Sequence, residues 1–273
     1  MKLNPENNKN TEEVINDLNT NPSFLKENDF YSTIFKRKSI RSYDLTSLDT
    51  IKEISSYLQA LEPMYSDIKT EFKIIGPDDV KRRMMRKAPH YIAAFSEIKE
   101  GSSTNIGFML QQMDLFFSAN GLGSCWQGIP KPTKEVLEST DLEFVILMPF
   151  GKPNEPLHRK SISEFKRKPL KEITDITGTD EILEAARLAP SATNSQLWFF
   201  TGDESLIHAY STKPGILKRA ISMRFIPIDM GIAIYHLKVA AEHFGKKTEI
   251  VFDEKAKTNP PSGKEYVASL KID

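Results

Sequence analysis

An α+β chain made of two repeats, arranged as a pseudo-dimer around buried helices, is the architecture this sequence predicts. Three observations carry the prediction. Two helical stretches, Ile106–Asn120 and Asp229–Phe244, are apolar around most of their circumference, so each must be buried on several sides. They align without gaps: Asn105-Ile106-Gly107 falls over Asp229-Met230-Gly231, and Ala119-Asn120-Gly121 over His243-Phe244-Gly245. Both glycine pairs are 124 apart (231 − 107 and 245 − 121). A strand and its turn echo too, Phe72 to Asp79 against Trp198 to Glu204. Any two buried helices look somewhat alike, but the joint echo favours duplication. The expected divisions are a polar arm over 1–27, a first repeat over 28–170 and a shorter second repeat over 171–273.

Composition narrows the classes. The chain has 273 residues, 39% of them hydrophobic, enough for a substantial core. Lys+Arg and Asp+Glu are equal at 37 each, so no global field steers it toward nucleic acid or an anionic membrane. The single cysteine, Cys125, excludes an intrachain disulfide and a multi-cysteine zinc cluster. No apolar run approaches the roughly 18–20 residues that span a bilayer. The N-terminus is rich in Asn, Glu and Lys and shows no signal segment, so a reducing, cytoplasmic setting is expected.

In chain order, the polar arm carries at most a short helix near Thr11–Leu18, and Phe30–Phe35 should form a helix leading into a basic cluster. Ile51, Ile54, Leu58 and Leu61 recur with helical spacing after Asp49. Glu71–Ile75 reads as a strand ended by Gly76-Pro77-Asp78-Asp79, Lys81–Lys87 as a basic surface helix, and His90–Phe95 as a buried strand. After the helix Ile106–Asn120 and its Gly121 cap, Leu142–Met148 should be a central strand closed by Pro149-Phe150-Gly151-Lys152-Pro153. Pro153–Lys168 reads as a basic loop. The second half gives a helix Thr179–Leu188 stopped before Pro190, a strand Leu197–Thr201, the helix Asp229–Phe244 and a final strand Tyr266–Ile272.

Two polar segments invite chemistry. Arg37-Lys38-Ser39-Ile40-Arg41 packs three cations and a hydroxyl into five residues, and if helical would let them converge on one anion. A solvated basic patch is the bland alternative. The apolar flanks Phe35, Ile40 and Tyr43 argue for partial burial, where unpaired charge is costly. Ala189-Pro190-Ser191-Ala192-Thr193-Asn194-Ser195-Gln196 is small and polar and leads into Leu197-Trp198-Phe199-Phe200. It is either an ordinary helix-to-strand turn or one wall for a flat ring system. Gly121–Gly128 fails as a dinucleotide fingerprint, because Trp126 stands where a third glycine is needed and the segment follows a helix. The five histidines show no metal-ligand spacing, and no nucleophile elbow or Walker loop is present.

Together and in this order, the segments from Tyr31 to Ile272 resemble the FMN-dependent nitroreductase superfamily. The motif at 37–41 is similar to its Arg-x-Ser-x-Arg element, which implies that Arg37, Lys38, Ser39 and Arg41 hold the FMN phosphate and the pyrimidine edge. Gly121-Leu122-Gly123-Ser124 resembles a region whose backbone approaches flavin N5, implicating Gln127 and Gly128. Pro149–Pro153 resembles the family's strand-end signature, with Phe150 shifting the pattern. Lys166-Arg167-Lys168-Pro169 stands where the family has a phosphate-binding cation, implicating Arg167. The loop matches Pro-Ser-x-x-Asn-x-Gln, implicating Pro190, Ser191, Ala192, Asn194 and Gln196.

In ordinary members that loop reaches across a dimer interface. Here the first repeat has Leu61-Glu62-Pro63-Met64-Tyr65-Ser66 at the corresponding place, and the second lacks the basic motif. The resemblance therefore implies the single-chain, duplicated subgroup, with one FMN per monomeric chain and the site assembled between repeats. It also implies hydride transfer from NAD(P)H through flavin to a nitroaromatic, quinone or enone. A flavin-binding protein without turnover, serving storage or sensing, is the alternative. No protein group need be catalytic itself, since the flavin carries the redox chemistry.

Overall fold

The computed structural model describes residues 29–45, 49–81, 87–213 and 223–273. The arm over 1–27 and residues 82–86 of the expected basic helix lie outside the described residues. In the first half, α1 (Phe30–Ile34) is capped by Asp29, whose side chain accepts from Ser32 N at 3.0 Å. α2 (Ile51–Gln59) turns Ile54 and Leu58 inward. There follow β1 (Thr70–Ile75), β2 (Val80–Lys81), β3 (His90–Ser96), α3 (Ser102–Ala119), β4 (Gly123–Ser124), β5 (Lys131–Pro132), α4 (Lys134–Leu137) and β6 (Glu143–Gly151). The second half contains α5 (Asp180–Arg187), β7 (Trp198–Gly202), β8 (Leu206–Thr212), α6 (Ile226–His243), β9 (Thr248–Val251), α7 (Glu254–Thr258) and β10 (Lys264–Ile272). Among the described residues no helix is long and apolar enough to cross a membrane.

Each half builds one antiparallel four-stranded sheet, ordered β1-β3-β6-β4 in the first and β7-β8-β10-β9 in the second. The two orders are the same once strands are matched by position along each half. In both, a long helix follows the second strand and a short helix joins the third to the fourth. β2 and β5 form a separate two-stranded ribbon.

Three local expectations need correction. The basic segment after α1 is not helical: Arg37 bridges to His158 and Tyr43 to Pro153, so it lies extended along the returning chain. The strand expected to close before Pro149 runs through it, because Phe150 and Gly151 pair with Ser124 and Gly123. β8, β9 and α7 were not anticipated. β8 carries His208 and Ala209 among its apolar residues and gains its strand character by pairing on both sides, with β7 and β10.

α3 and α6 are buried almost end to end and cross at the centre of one core cluster that runs through both halves. The approach is close because both helices carry glycine there. A Cβ on Gly107 would lie 2.2 Å from Ile228 O, and one on Gly231 would lie 2.0 Å from Thr104 O. Thr104 and Ile228 are themselves 124 apart (228 − 104), so the contact is reciprocal. Phe108 and Tyr235 meet edge to face beside it, with centroids 5.1 Å apart. Gly107→Ala or Gly231→Ala should each cost at least about 1–3 kcal/mol, because the obstructing atom is backbone. Urea unfolding checks this: the midpoint should fall at unchanged m. It should hold for Gly76→Ala, whose new carbon would stay 3.5 Å from its neighbour.

Candidate functional site

The loop Pro190–Gln196 is held from both ends. Asp229, in the first turn of α6, accepts from Ala192 N through both carboxylate oxygens, at 3.0 and 3.1 Å. Ser191 Oγ accepts from Gln196 N at 3.0 Å. Gln196 Oε1 accepts from Lys168 N at 2.7 Å, while Lys168 Nζ donates to Gln196 O at 2.9 Å. Asn194 Nδ2 donates to Lys166 O at 3.0 Å, and Arg167 donates to Asn194 Oδ1. These bonds hold Thr193, Asn194 and Gln196 at φ 53°, 57° and 49°. Asn tolerates that region, but β-branched Thr193 is strained there, at a cost of order 1–3 kcal/mol.

Beside the loop lies a cavity of about 240 Å³. Ser39, Arg41, Cys125, Trp126 and Gly128 wall it from the first half, and Pro190–Thr193, Phe225 and Asp229 from the second. Gly128 permits the contact with Phe225, since a Cβ there would lie 2.2 Å from the ring. Trp126 Nε1 is buried without a partner among the described residues. The cavity is apolar around a few polar groups, as ligand pockets commonly are.

On its flank three arginines crowd together. Arg159 donates to Arg37 O, and its guanidinium lies over the Phe165 ring, 4.1 Å from the centroid. Arg167 lies over the same ring at 5.6 Å. Burial, followed by the Arg37 charge, pulls Arg159 down to about 10. Burial, followed by Arg37, Arg159 and Arg187, pulls Arg167 down to about 9. Arg167 Nε is buried with no partner among the described residues. Mutually repelling guanidiniums with a donor to spare suit a phosphate group, so these residues fit the anionic end of FMN.

The structure distributes the sequence-predicted residues unevenly. Ser39, Arg41, Gly128, Pro190, Ser191 and Ala192 reach the cavity. Arg167 and Asn194 bind each other on its flank, and Gln196 ties the loop to Lys168. Lys38 pairs with Glu155 at 3.4 Å, and Glu155 also accepts from Arg41 N. The Gln127 N–H is already used by Leu147 O at 2.9 Å. Arg37 is 1% exposed and its Nε lies 2.9 Å from Asp114 Oδ2, an ion-pair distance, though the N–H is not aimed at the oxygen. Ser124 Oγ donates to the other Asp114 oxygen at 2.6 Å, and Gln111 Nε2 lies 3.2 Å from Asp114 Oδ2. Sequence reasoning missed Arg159 and Asp229. Arg159 sits in a stretch read only as a basic loop, and Asp229 was read only as the first residue of an apolar helix.

A family model described as "Putative TM nitroreductase" matches residues 29–241, and the chain belongs to that family. Its structure is similar to that of a putative nitroreductase from Thermotoga maritima, with 22% identity, TM-score 0.59, and 89% of this chain and 92% of that one covered. A putative NADH dehydrogenase/NAD(P)H nitroreductase from Bacteroides thetaiotaomicron aligns at 18% identity and TM-score 0.42, covering 54% of this chain and 97% of that one. A protein described as an FMN-dependent nitroreductase from Clostridium difficile aligns at 14% identity and TM-score 0.39, covering 52% and 95%. A comparison with curated proteins gives no sequence match.

Since Arg37 is committed to Asp114, its truncation acts on the fold as well as on any ligand. Arg37→Ala should lower unfolding free energy by about 3–5 kcal/mol, because it strands a buried carboxylate. Chemical denaturation of the ligand-stripped protein checks this. An unchanged midpoint would show that Asp114 does not need Arg37.

Proposed function

We propose that this chain is an FMN-dependent oxidoreductase that passes hydride from NADH or NADPH to a small nitroaromatic, quinone or enone. One observation carries the reading. The cavity receives Ser39 and Arg41 from the 37–41 motif and Pro190–Thr193 from a loop some 150 positions later, beside Arg167, whose charged neighbours Arg37, Arg159 and Arg187 are all cations and whose Nε has no partner among the described residues. Family membership supports it.

In this reading Arg159 and Arg167 hold the phosphate, and Arg37 adds charge from behind while keeping Asp114. Ser39 and Arg41 serve the pyrimidine edge, where a cation stabilises developing negative charge. Trp126, Phe225 and the loop backbone wall the ring and exclude water. FMN, when bound, supplies the two-electron redox chemistry that no side chain here can supply.

We further propose that the two halves, 28–170 and 171–273, are repeats of one ancestral unit, with one site per monomeric chain. The position related to the cavity by the 124-residue offset supports this. There the Tyr65 ring stacks on Phe252 at 5.1 Å and covers Gly101, where a Cβ would lie 2.7 Å from the ring. Gly101 corresponds to Phe225 (225 − 101), so an aromatic ring occupies the place of a second site.

The flavin released on denaturation should match the protein in a ratio near one, and a ratio near two would overturn the single site. Anaerobic NADH or NADPH should bleach the bound flavin. Flavin that stays bound and unbleached would return the storage or sensing alternative. Arg167→Ala should lose a charge-assisted bond of about 1.5–3 kcal/mol. That is roughly 10- to 150-fold weaker FMN binding by fluorescence titration.

A further inference from the structure

Positions 105 and 229 correspond by the same offset (229 − 105), and they perform one task. Asn105 Oδ1 accepts from Met64 N and Tyr65 N at 2.8 and 3.0 Å, fixing the loop after α2. Asp229 accepts from Ala192 N, fixing the loop after α5. An amide is enough for this, as Asn105 shows. The half whose cavity stays open nevertheless carries a carboxyl, and that carboxyl lines the cavity while only 5% exposed.

The surroundings of Asp229 favour its protonated form. Its donors, Ala192 N–H and the Ser195 side chain, are neutral, and burial pushes the carboxyl up to about 8. From the opposite wall, Arg41 and Cys125 face the same cavity, and burial raises the Cys125 thiol. On α3, Asp114 is committed to Arg37, and on α5, Glu184 and Arg187 pair with each other. Further along α6, burial pulls His236 down to about 3, and it bonds Gln111 and Ala185 O. On β8, His208 bonds Ser269, while Arg224 ahead of α6 donates to Val145 O.

We propose that Asp229 is the proton donor of this pocket, giving its carboxyl proton to the bound acceptor as the acceptor takes up hydride. The inference rests on the oxidoreductase reading above. The balance is simple: the nicotinamide loses a hydride and becomes oxidised, and the acceptor gains that hydride and the Asp229 proton. A quinone thereby becomes a hydroquinone. Asp229 is left as carboxylate and recovers a proton from water at the open side of the cavity, where Ile129 is 78% exposed.

Asp229→Asn is the decisive variant, since an amide keeps the acceptor for Ala192 N–H and removes the proton. The first readout needs no turnover. The folded carboxyl titrates above its unfolded value, so its stabilising contribution is full below about pH 4 and lost as pH rises through about 8. The stability of the wild type relative to Asp229→Asn should therefore decline across that window. Infrared spectra of the flavin-free wild type should show a protonated carboxyl at neutral pH that ionises near pH 8.

The second readout is menadione reduction by the FMN-loaded protein. The wild-type rate should fall above about pH 8, whereas Asp229→Asn, at equal flavin content, should be about 100-fold slower with no such break. Equal flavin content with an unchanged rate and profile overturns the proposal and leaves the oxidoreductase reading standing. A wild type that takes up no FMN overturns that reading instead, and absorbance shows this before any variant is made. Should the variant not fold, a wild type without a protonated carboxyl at neutral pH is sufficient to overturn the proposal.

Discussion

At the crossing of α3 and α6 the two halves meet backbone to backbone, because Gly107 and Gly231 leave no side chain between the helices and the carbonyls of Ile228 and Thr104. The remaining geometry depends on that approach. α6 brings Ile228, Asp229 and Ile232 from its first two turns to the cavity. β4, which follows α3, leads directly to Cys125, Trp126 and Gly128 on the facing wall. Wider spacing would part these walls, and the segments 39–41 and 190–193 would no longer enclose one volume. A contact with no chemistry of its own thus sets the size of the place where chemistry can occur.

A second constraint runs through the same interface in polar form. Arg37 meets Asp114, Gln111 bonds both Asp114 and His236, and His236 reaches Ala185 O at 2.8 Å. Because Nδ1 donates to that carbonyl, Nε2 of the neutral ring accepts from Gln111, whose Nε2 also donates to Asp114. Buried charge and amide contribute little net stability compared with apolar packing. They do penalise a shifted crossing, since any slip leaves one of these groups unsatisfied. The apolar core supplies the attraction, and the polar chain ties the extended segment after α1 to α3, α5 and α6 in one alignment.

The helices α1, α2, α3, α5 and α6 and the strands β3 and β6 were legible in the sequence because their apolar residues are dense and local. The strand-order match between the halves was foreshadowed only by the glycine offset and by the echo of Phe72–Asp79 in Trp198–Glu204. β8 and β9 were not legible, because His208, Thr248 and Glu249 interrupt any strand pattern and pairing partners decide their state. At the candidate site, composition showed that Arg37–Arg41 and Pro190–Gln196 are unusual, but not which side chain each neighbour would occupy. Arg37 reads as a free cation until Asp114, 77 positions on (114 − 37), is seen beside it. Asp229 is hidden for the opposite reason: an acid in the first turn of a helix is expected there for its effect on the helix dipole alone.

On the duplication proposed above, the correspondence of Asn105 with Asp229 is open to one chain and closed to two identical subunits. In a homodimer, symmetry puts the same residue at both copies of a position, so a group suited to an open pocket must also be tolerated wherever its copy lies. On the duplication proposed here, the two copies are free to diverge. Position 105 keeps an amide, which bonds both the N–H and the carbonyl of Tyr65, and position 229 carries a carboxyl beside a cavity. The cations divide in the same way: Arg37, Arg41, Arg159 and Arg167 all come from the first half. The second half contributes the loop and a buried acid with neutral donors. A positive rim for an anion and a neutral, proton-holding interior are opposite electrostatic demands. A site drawn from two unlike halves can meet both within one small cavity.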